Sequence, residues 1–354
     1  MLPWLSGLAA DPGRVHTEGL RARGAIETAR EQVAALVGAR PREVVFTSGA
    51  TEAINAAAFG VGGRGPQAMA PVEHSAVRDA AARAGAVVAL PVDRAGRISV
   101  EGVDLRGAAL VHCQWANHEV GTTQPVDAVA EAAQAAGALV HVDAAAAVGH
   151  EVVAFGDSPI DLLSLSGHKF GGPQGTGALI VRRGLRLPPF VVGGDQERAR
   201  RGGLENVAGI VGLGAAADRV SASLGTDADR ARRQTAALLA AALGVDGVVA
   251  YGDTERRVPH VVCIGVEGVE SEAVLLGLDQ AGVAAHSGSA CSSESLEPSP
   301  VLAAMGVDAE RSLRLSVGWT TTDADIGRFA QTFPDVVRHL RSLRPVNPPS
   351  TAAP

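Results

Sequence analysis

The chain has 354 residues, is 46% hydrophobic and carries a net charge of −7. This length exceeds that of one compact domain, and the acidic balance excludes the basic face that a nucleic-acid-binding protein needs. The sequence opens without a basic segment followed by an apolar run, and no stretch looks apolar enough to span a bilayer. Three cysteines are too few for a disulfide framework. We therefore expect a cytoplasmic protein that binds neither nucleic acid nor membrane.

Strands and helices alternate along the first part of the chain. An amphipathic helix is predicted over 17–37, and short β-branched runs then alternate with alanine-rich helical stretches. The predicted strands are 43–47, 86–91, 108–113, 138–142, 161–165 and 177–182. The predicted helices between them are 51–59, 75–84 and 126–137. This alternation predicts an α/β domain with a mostly parallel sheet that is covered by helices on both faces.

The remaining third of the chain has a different pattern. Residues 206–243 are mainly helical, and shorter elements of both kinds follow. These are strand 259–265, helix 271–280, strand 283–286, helix 298–304, strand 312–317 and helix 322–343. We expect a large α/β domain over 1–225, a smaller α+β domain over 226–344 and a disordered tail over 345–354.

Lys169 is the only lysine in the chain. It follows predicted strand 161–165 directly, at the sheet edge where ligands bind in folds of this kind. A lysine amine, unlike a guanidinium group, can condense with a carbonyl to form a Schiff base. Lysine is also the usual covalent anchor of pyridoxal phosphate. The sequence therefore indicates a lysine that holds this cofactor.

Other polar residues follow neighbouring predicted strands. Segment 46–53 reads as a strand, a glycine turn and a helix start, which suits either an anion site or an ordinary helix cap. Asp143 closes strand 138–142, where its carboxylate could pair with a pyridine nitrogen or cap the next helix. His74 lies between a strand and a helix at the same edge. There it suits ring stacking, proton transfer or a purely structural role.

Two further residues stand out in the last third of the chain. Cys291 lies in a polar stretch of serines without apolar periodicity, so its thiol is expected to be accessible and able to act as a nucleophile. Cys113 and Cys263 lie inside apolar strands and are expected to be buried small hydrophobes. Arg314 lies in an apolar strand and needs an anionic partner, either a protein carboxylate or that of a substrate.

Taken in order, these motifs resemble those of the cysteine desulfurases, fold-type I pyridoxal phosphate enzymes of the class V aminotransferase group. The segments that carry the resemblance are 47–52, 73–74, 116–122, 141–144, 166–169, 193–198, 287–291 and 296–299. The resemblance extends from about residue 20 to about residue 330. It implies the fold of fold-type I pyridoxal phosphate-dependent transferases, with a smaller C-terminal α+β domain.

The resemblance also implies roles for individual residues. The catalytic residues would be Lys169, Cys291 and His74. The residues that bind pyridoxal 5′-phosphate would be Ala50, Thr51, Asn117, His118, Asp143, Ser166, His168 and Lys169. Arg314 and Asn117 would bind the substrate L-cysteine, and no metal would be needed.

The implied reaction converts L-cysteine to L-alanine and leaves a persulfide on Cys291. A sulfur-acceptor protein, either a scaffold or a sulfur carrier, would then receive the sulfur, and the enzyme would be a homodimer. Alternatives are another class V activity, such as a selenocysteine lyase, an epimerase or a transaminase, and a degenerate homologue that only binds partners.

The sequence departs from the pattern of this family at three positions. Ala146 stands where a glutamine usually contacts the cofactor, and His118 stands where a second asparagine is common. Leu204 replaces a threonine that normally reaches the phosphate of the neighbouring subunit. Losing one hydrogen bond to a charged group costs about 1.5–3 kcal/mol, so we expect weaker cofactor binding that the covalent bond and the remaining donors offset.

Overall fold

The structure, a computed structural model, describes residues 1–7, 10–287 and 298–343. Its helices are α1 Leu2–Ser6, α2 Thr17–Leu36, α3 Ala50–Val61, α4 Ser75–Ala84, α5 Val126–Ala135, α6 Gln196–Ala199, α7 Val207–Leu243, α8 Ser271–Gln280, α9 Pro300–Ala304 and α10 Asp323–Ser342. Cys291 and the predicted disordered tail lie outside the described residues.

A seven-stranded sheet forms the larger part of the fold. Its strands are β1 Val44–Thr47, β2 Gln67–Met69, β3 Val87–Ala89, β4 Leu110–Gln114, β5 Leu139–Asp143, β6 Leu162–Ser166 and β7 Gly177–Val181. They lie in the order β1-β7-β6-β5-β4-β2-β3. β7 pairs antiparallel with β1 and β6, and the other pairs are parallel. The predicted mostly parallel sheet is therefore confirmed.

The two faces of this sheet bury different side chains. One face places Val111, Val140 and Val142 in the main apolar cluster with residues of α2 and α5. The opposite face packs Leu110 and Leu162 against α3. Because side chains alternate along a strand, His112, His141 and Asp143 also point toward the α3 side. The polar residues of the central strands thus share one face.

A second sheet follows in the chain. It has four antiparallel strands in the order β10-β11-β9-β8. These strands are β8 Val248–Tyr251, β9 Val261–Val266, β10 His286–Ser287 and β11 Ser312–Ser316. Phe329 and Phe333 of α10, with Val274 and Leu278 of α8, form its apolar cluster. The predicted division between two domains at residue 225 stays a prediction, and that position lies inside α7.

Sequence patterns missed two strands, β2 and β8. β2 has only three residues, and β8 is only partly buried. Short strands such as these carry too few alternating positions to give a periodic signal. Both are recognised only because neighbouring strands pair with them.

Helix α7 corrects one expectation. Among the described residues it is the one helix long and apolar enough, by length and composition alone, to cross a membrane, although no such stretch was expected. Its side chains pack against α2, α10 and β9. These contacts account for its apolar composition without a membrane, since a core helix has the same character.

A buried ion pair fixes the segment that precedes α7. Arg30 of α2 donates from Nη1 and Nη2 to the two carboxylate oxygens of Glu197, at 2.7 Å each. Glu197 also accepts from the backbone N–H of Phe46 at 3.0 Å, and both charged side chains are about 3% exposed or less. Glu197, Arg198 and Ala199 have positive φ values. The ion pair therefore holds a strained turn against β1.

Replacing Glu197 by Gln should lower the free energy of unfolding by about 3–5 kcal/mol, because it removes the buried counter-charge of Arg30. The half-exposed Glu27, 3.2 Å from Arg30 Nε, would then be its remaining ion-pair partner among the described residues. Urea denaturation followed by circular dichroism measures this loss. The control is Arg338→Ala, which removes an exposed pair with Asp335 and should leave the midpoint unchanged. Equal midpoints for the Glu197 and Arg338 variants would contradict the structural role of the buried pair.

Candidate active site

Lys169 lies at the carboxyl end of β6, as the sequence predicted. It occupies a 3-10 turn over Gly167–Phe170, and Gly171 ends the turn with φ 89°. The Lys169 carbonyl accepts a hydrogen bond from His150 Nε2 at 2.9 Å. The Lys169 side chain is exposed and lies beside a cavity of about 550 Å³. The turn therefore presents the amine at the sheet edge, next to open space.

Asp143 ends β5, the strand next to β6. Its Oδ1 accepts a hydrogen bond from Ala145 N at 3.0 Å and forms a second one with Ser164 Oγ at 3.1 Å. Burial raises the pKa of the Asp143 carboxyl, and the nearby charges of His74 and Lys169 act in the opposite direction. Both hydrogen bonds from the described residues end on Oδ1, so Oδ2 is the oxygen that can receive a ligand.

The segment before α3 packs against the end of β6. Thr47 and Ser166 both pair with Gly177, on opposite sides of β7. A side chain at Gly177 would clash with Gly49 at 2.6 Å, so close approach of the two backbones requires glycine here. The N-terminus of α3, with Ala50 and Thr51, is thereby held beside Ser166.

Ser166 and His168 form the second half of this anion cradle. Ser166 is 3% exposed and lies 2.9 Å from His168, measured from its Oγ to the His168 Nδ1. Burial lowers the pKa of His168, and the Lys169 charge lowers it further. A hydroxyl, an imidazole and the amides of a helix N-terminus together can bind a phosphate group.

His74 and His118 face each other above the strand ends. Their ring centroids are 5.0 Å apart and the rings cross at 60°. His74 Nδ1 accepts from Ala76 N at 3.0 Å, so a neutral His74 ring carries its proton on Nε2. Burial lowers the pKa of His118 well below its usual range, and His74, Arg314 and Lys169 lower it further. The structure thus brings His74, His118, Arg314 and Lys169 within electrostatic range of one another.

Asn117 has a local role in the structure. Its Nδ2 donates to Val72 O at 3.1 Å, and its Oδ1 accepts from Glu119 N and Val120 N at 2.9 Å each. The side chain is fully buried and closes the turn that positions His118. Binding of cofactor or substrate by Asn117 stays a prediction.

Arg314 reaches this site from the second sheet. It lies in β11 opposite His286 of β10, and its Nη1 donates to the carbonyl of His118 at 3.2 Å. Within the described ranges, which omit 288–297, Arg314 forms no ion pair. Of the two alternatives, a protein carboxylate in contact with Arg314 is thus not seen among these residues, although Glu119 lies within electrostatic range. The guanidinium can therefore receive a substrate carboxylate.

The segment that contains Cys291 starts and ends beside these residues. Ser287 ends β10 and pairs with Leu313, the residue before Arg314. Ser299 Oγ donates to Glu119 Oε2 at 2.6 Å. Burial raises the pKa of Glu119 to about 7. Cys291 itself lies outside the described residues. Both flanks of its segment are thus attached near His118.

The other two cysteines are buried, as predicted. Cys113 is fully buried and Cys263 is 1% exposed. Burial raises the pKa of the Cys113 thiol well above its usual range and raises that of Cys263 to about 12. Neither thiol can form a nucleophilic thiolate at neutral pH.

Sequence analysis assigned no role to three titratable residues that lie near the site. His150 and His260 stack with a centroid distance of 3.5 Å and border the cavity beside Lys169. Glu73 is fully buried, and burial raises the pKa of its carboxyl to about 8. Glu73 precedes His74 in a recognised motif and could have been considered, but the two histidines are brought together only by the fold.

The structure also shows where two residues that depart from the family pattern lie. Ala146 lies in the turn that follows Asp143, and its short side chain is partly buried. Leu204 is 64% exposed, in the segment before α7. The predicted effects of these residues on cofactor affinity stay predictions.

Among the described residues, no group of three or more His, Cys, Asp or Glu side chains could hold a metal ion.

Comparison with known proteins agrees with this geometry. The family described as "Aminotransferase class-V" matches residues 4–329. A cysteine desulfurase of Gluconacetobacter diazotrophicus is 40% identical over 368 residues, which cover 98% of this chain and 90% of that protein.

Solved structures show the same relationship. A NifS-like protein superposes with a TM-score of 0.88 at 29% identity, over 96% of this chain and 94% of its own. A structure described as SspA in complex with cysteine superposes with a TM-score of 0.78 at 30% identity, over 89% and 92%. These likenesses confirm the predicted fold-type I class. By fold, site geometry and relatedness, the chain belongs to the cysteine desulfurases of the class V aminotransferase family.

Proposed function

We propose that the protein uses pyridoxal 5′-phosphate to convert L-cysteine to L-alanine, with transfer of the sulfur first to Cys291 and then to an acceptor protein. The observation that carries this proposal is the position of Lys169 and Asp143 at the ends of adjacent parallel strands, with Arg314 reaching the same place from the second sheet. The related structure named as a complex with cysteine supports the choice of substrate.

The residues present fit the cofactor. Lys169 would hold it covalently, and Asp143 Oδ2 would face the ring nitrogen, since the described hydrogen bonds to this carboxyl use Oδ1. Ala50, Thr51, Ser166 and His168 would bind the phosphate. When bound, the cofactor supplies an electron sink for negative charge at the substrate α-carbon.

Other side chains of the site would bind the substrate and transfer protons. Arg314 would orient the substrate through its carboxylate, in a two-point contact that a guanidinium can make. The Lys169 amine would accept the α-proton, and His74 would hold a proton at Nε2 beside the substrate. His118 is neutral because burial lowers its pKa, so it would add no positive charge there.

Sulfur transfer would use Cys291. Its thiolate would attack the substrate sulfur, so that an S–S bond forms while the substrate C–S bond breaks. The electron pair of that C–S bond stays on the carbon and takes up a proton, which gives alanine. The products are L-alanine and a Cys291 persulfide, from which an acceptor thiolate would remove the outer sulfur.

We also propose a homodimer in the cytoplasm. Phe190, Val192 and Leu204 are exposed apolar side chains in the segment between β7 and α7, and a second copy of the chain would cover them. Cys113 and Cys263 are unpaired thiols, which suits a reducing compartment.

Replacing Lys169 by Ala should abolish covalent attachment of the cofactor, because the chain has no other lysine. The protein, reconstituted with pyridoxal phosphate, should show a visible absorption band that borohydride bleaches, and the variant should lack it. Alanine formation from L-cysteine should fall at least about a hundredfold. A variant that kept the band and the rate would overturn the assignment.

Replacing Cys291 by Ala should leave the absorption band unchanged but stop sulfide and persulfide formation from L-cysteine. The band acts as the internal control, because Cys291 is assigned to sulfur and not to the cofactor. Mass spectrometry of the peptide that contains Cys291 should show an added sulfur in the unmodified protein. Sulfide release at the parent rate by the variant would contradict the persulfide route.

The homodimer predicts that Val192→Arg combined with Leu204→Arg gives a monomer, since two charges would be desolvated in the interface. Size-exclusion chromatography with light scattering measures the mass. Leu276→Arg is the matched control, because Leu276 is 60% exposed on α8, away from this segment, and should stay dimeric. A monomeric parent protein, or a dimeric double variant, would exclude this interface.

A further inference from the structure

A line of polar side chains crosses the large sheet on the face covered by α3. It contains Gln67 of β2, His112 of β4, His141 and Asp143 of β5, and Ser164 of β6. Gln67 is 1% exposed, both histidines and Ser164 are fully buried, and Asp143 is 8% exposed. The line therefore starts deep in the sheet and ends at the candidate cofactor site.

Four close contacts join these side chains. Gln67 Oε1 lies 2.8 Å from His112 Nε2, and His112 Nδ1 lies 2.9 Å from His141 Nδ1. His141 Nε2 lies 3.2 Å from Ser164 Oγ, which lies 3.1 Å from Asp143 Oδ1. Each of these four contacts must hold one hydrogen to be attractive.

The contacts of Gln67 determine which atom donates and which accepts along the line. Gln67 Nε2 donates to the carbonyl of Ala58 in α3 at 2.8 Å, so Gln67 Oε1 must accept from His112. A neutral His112 then has no hydrogen on Nδ1, and His141 must donate to it from its own Nδ1. A neutral His141 in turn has no hydrogen on Nε2, the atom that faces Ser164.

The line has too few hydrogens for its four contacts if both histidines are neutral and Asp143 is ionised. Two neutral histidines and one serine hydroxyl supply three hydrogens for four contacts. With Asp143 ionised, Ser164 could serve either His141 Nε2 or Asp143 Oδ1, and the other contact would bring two lone pairs together. One additional proton, on Asp143 or on either histidine, fills all four contacts.

We propose that four positioning residues form a proton-holding relay for Asp143; they are Gln67, His112, His141 and Ser164. Relative to two neutral imidazoles and an ionised carboxylate, the group of His112, His141 and Asp143 carries one additional proton. The relay and Asp143 are then electrically neutral as a unit. This arrangement avoids an uncompensated charge in the core of the sheet, which would be costly.

The charges around Asp143 act on where the proton resides. Burial favours neutral histidines, since it lowers the pKa of His112 to about 3 and that of His141 well below its usual range. Burial also raises the pKa of Asp143, while His74 and Lys169 favour its ionised form. Glu73 lies close enough for its charge and that of Asp143 to repel each other. In the cofactor-free protein we assign the extra proton to Asp143, whose O–H would then donate to Ser164 Oγ across the 3.1 Å contact.

A cationic ring nitrogen opposite Oδ2 would change that balance. The Asp143 O–H bond would break as its proton passes to Ser164 Oγ, while the Ser164 proton passes to His141 Nε2. Asp143 becomes a carboxylate and His141 an imidazolium, with no proton gained from or lost to solvent. The relay would thus let Asp143 become negative toward the ring while His141 takes the compensating positive charge, so that the relay and Asp143 together stay neutral.

Neutron crystallography of the unmodified, cofactor-free protein at pH 7 tests the proton count. We expect four hydrogens on the four contacts between Gln67 and Asp143. Three hydrogens, with one contact empty, would overturn the proposal. The proton shift toward His141 rests on the proposed function, because it needs the bound cofactor. The number of hydrogens on the four contacts does not depend on the cofactor. Four hydrogens in a protein that never binds pyridoxal phosphate would refute the proposed function and leave the relay standing.

Ser164→Ala tests whether the relay acts on Asp143. It should weaken binding of pyridoxal phosphate roughly ten- to hundredfold, as expected for one lost hydrogen bond to a charged group, and shift the ring ¹⁵N resonances of His141. The matched control is Cys113→Val, since Cys113 is equally buried next to His112 but belongs to the apolar cluster on the opposite face. Equal affinity and unchanged histidine resonances in the two variants would contradict the relay.

Discussion

The parallel pairing of β4, β5 and β6 is the constraint on which the site depends. In this register Gln114 lies opposite Asp143, and Asp143 lies opposite Ser164. The carboxyl ends of the three strands therefore meet at one edge, and the turn with Lys169 begins where β6 ends. A slip of one residue in either pairing would turn Asp143 into the apolar face, and the carboxylate proposed to pair with the cofactor ring would be lost.

Strand β5 contributes to the apolar core with one face and to the candidate site with the other. Val140 and Val142 point into the main apolar cluster, whereas His141 and Asp143 point to the α3 side. The apolar residues hold the strand in register, and the register brings the polar ones into line. Because the sheet buries both faces, the polar line must satisfy its own hydrogen bonds, which makes the protonation of Asp143 a property of several strands.

Sequence patterns predicted the features that depend on local order along the chain. The positions of Lys169 and Asp143 followed from strand ends, because parallel strands bring those ends together whatever the details of pairing. The contact of His112 with His141 could not be predicted, since it depends on register between strands that are 29 residues apart in the chain. The bond from Arg30 to Glu197 spans 167 residues and lacks any local signal for the same reason.

Lys169 is proposed to carry pyridoxal phosphate at this sheet edge. The most direct measurement is mass spectrometry of the proteolysed protein after reconstitution with pyridoxal phosphate and reduction with borohydride. We expect one modified peptide, with the reduced cofactor on Lys169. An unmodified Lys169 peptide, or cofactor attached only to the α-amino group of Met1, would contradict it.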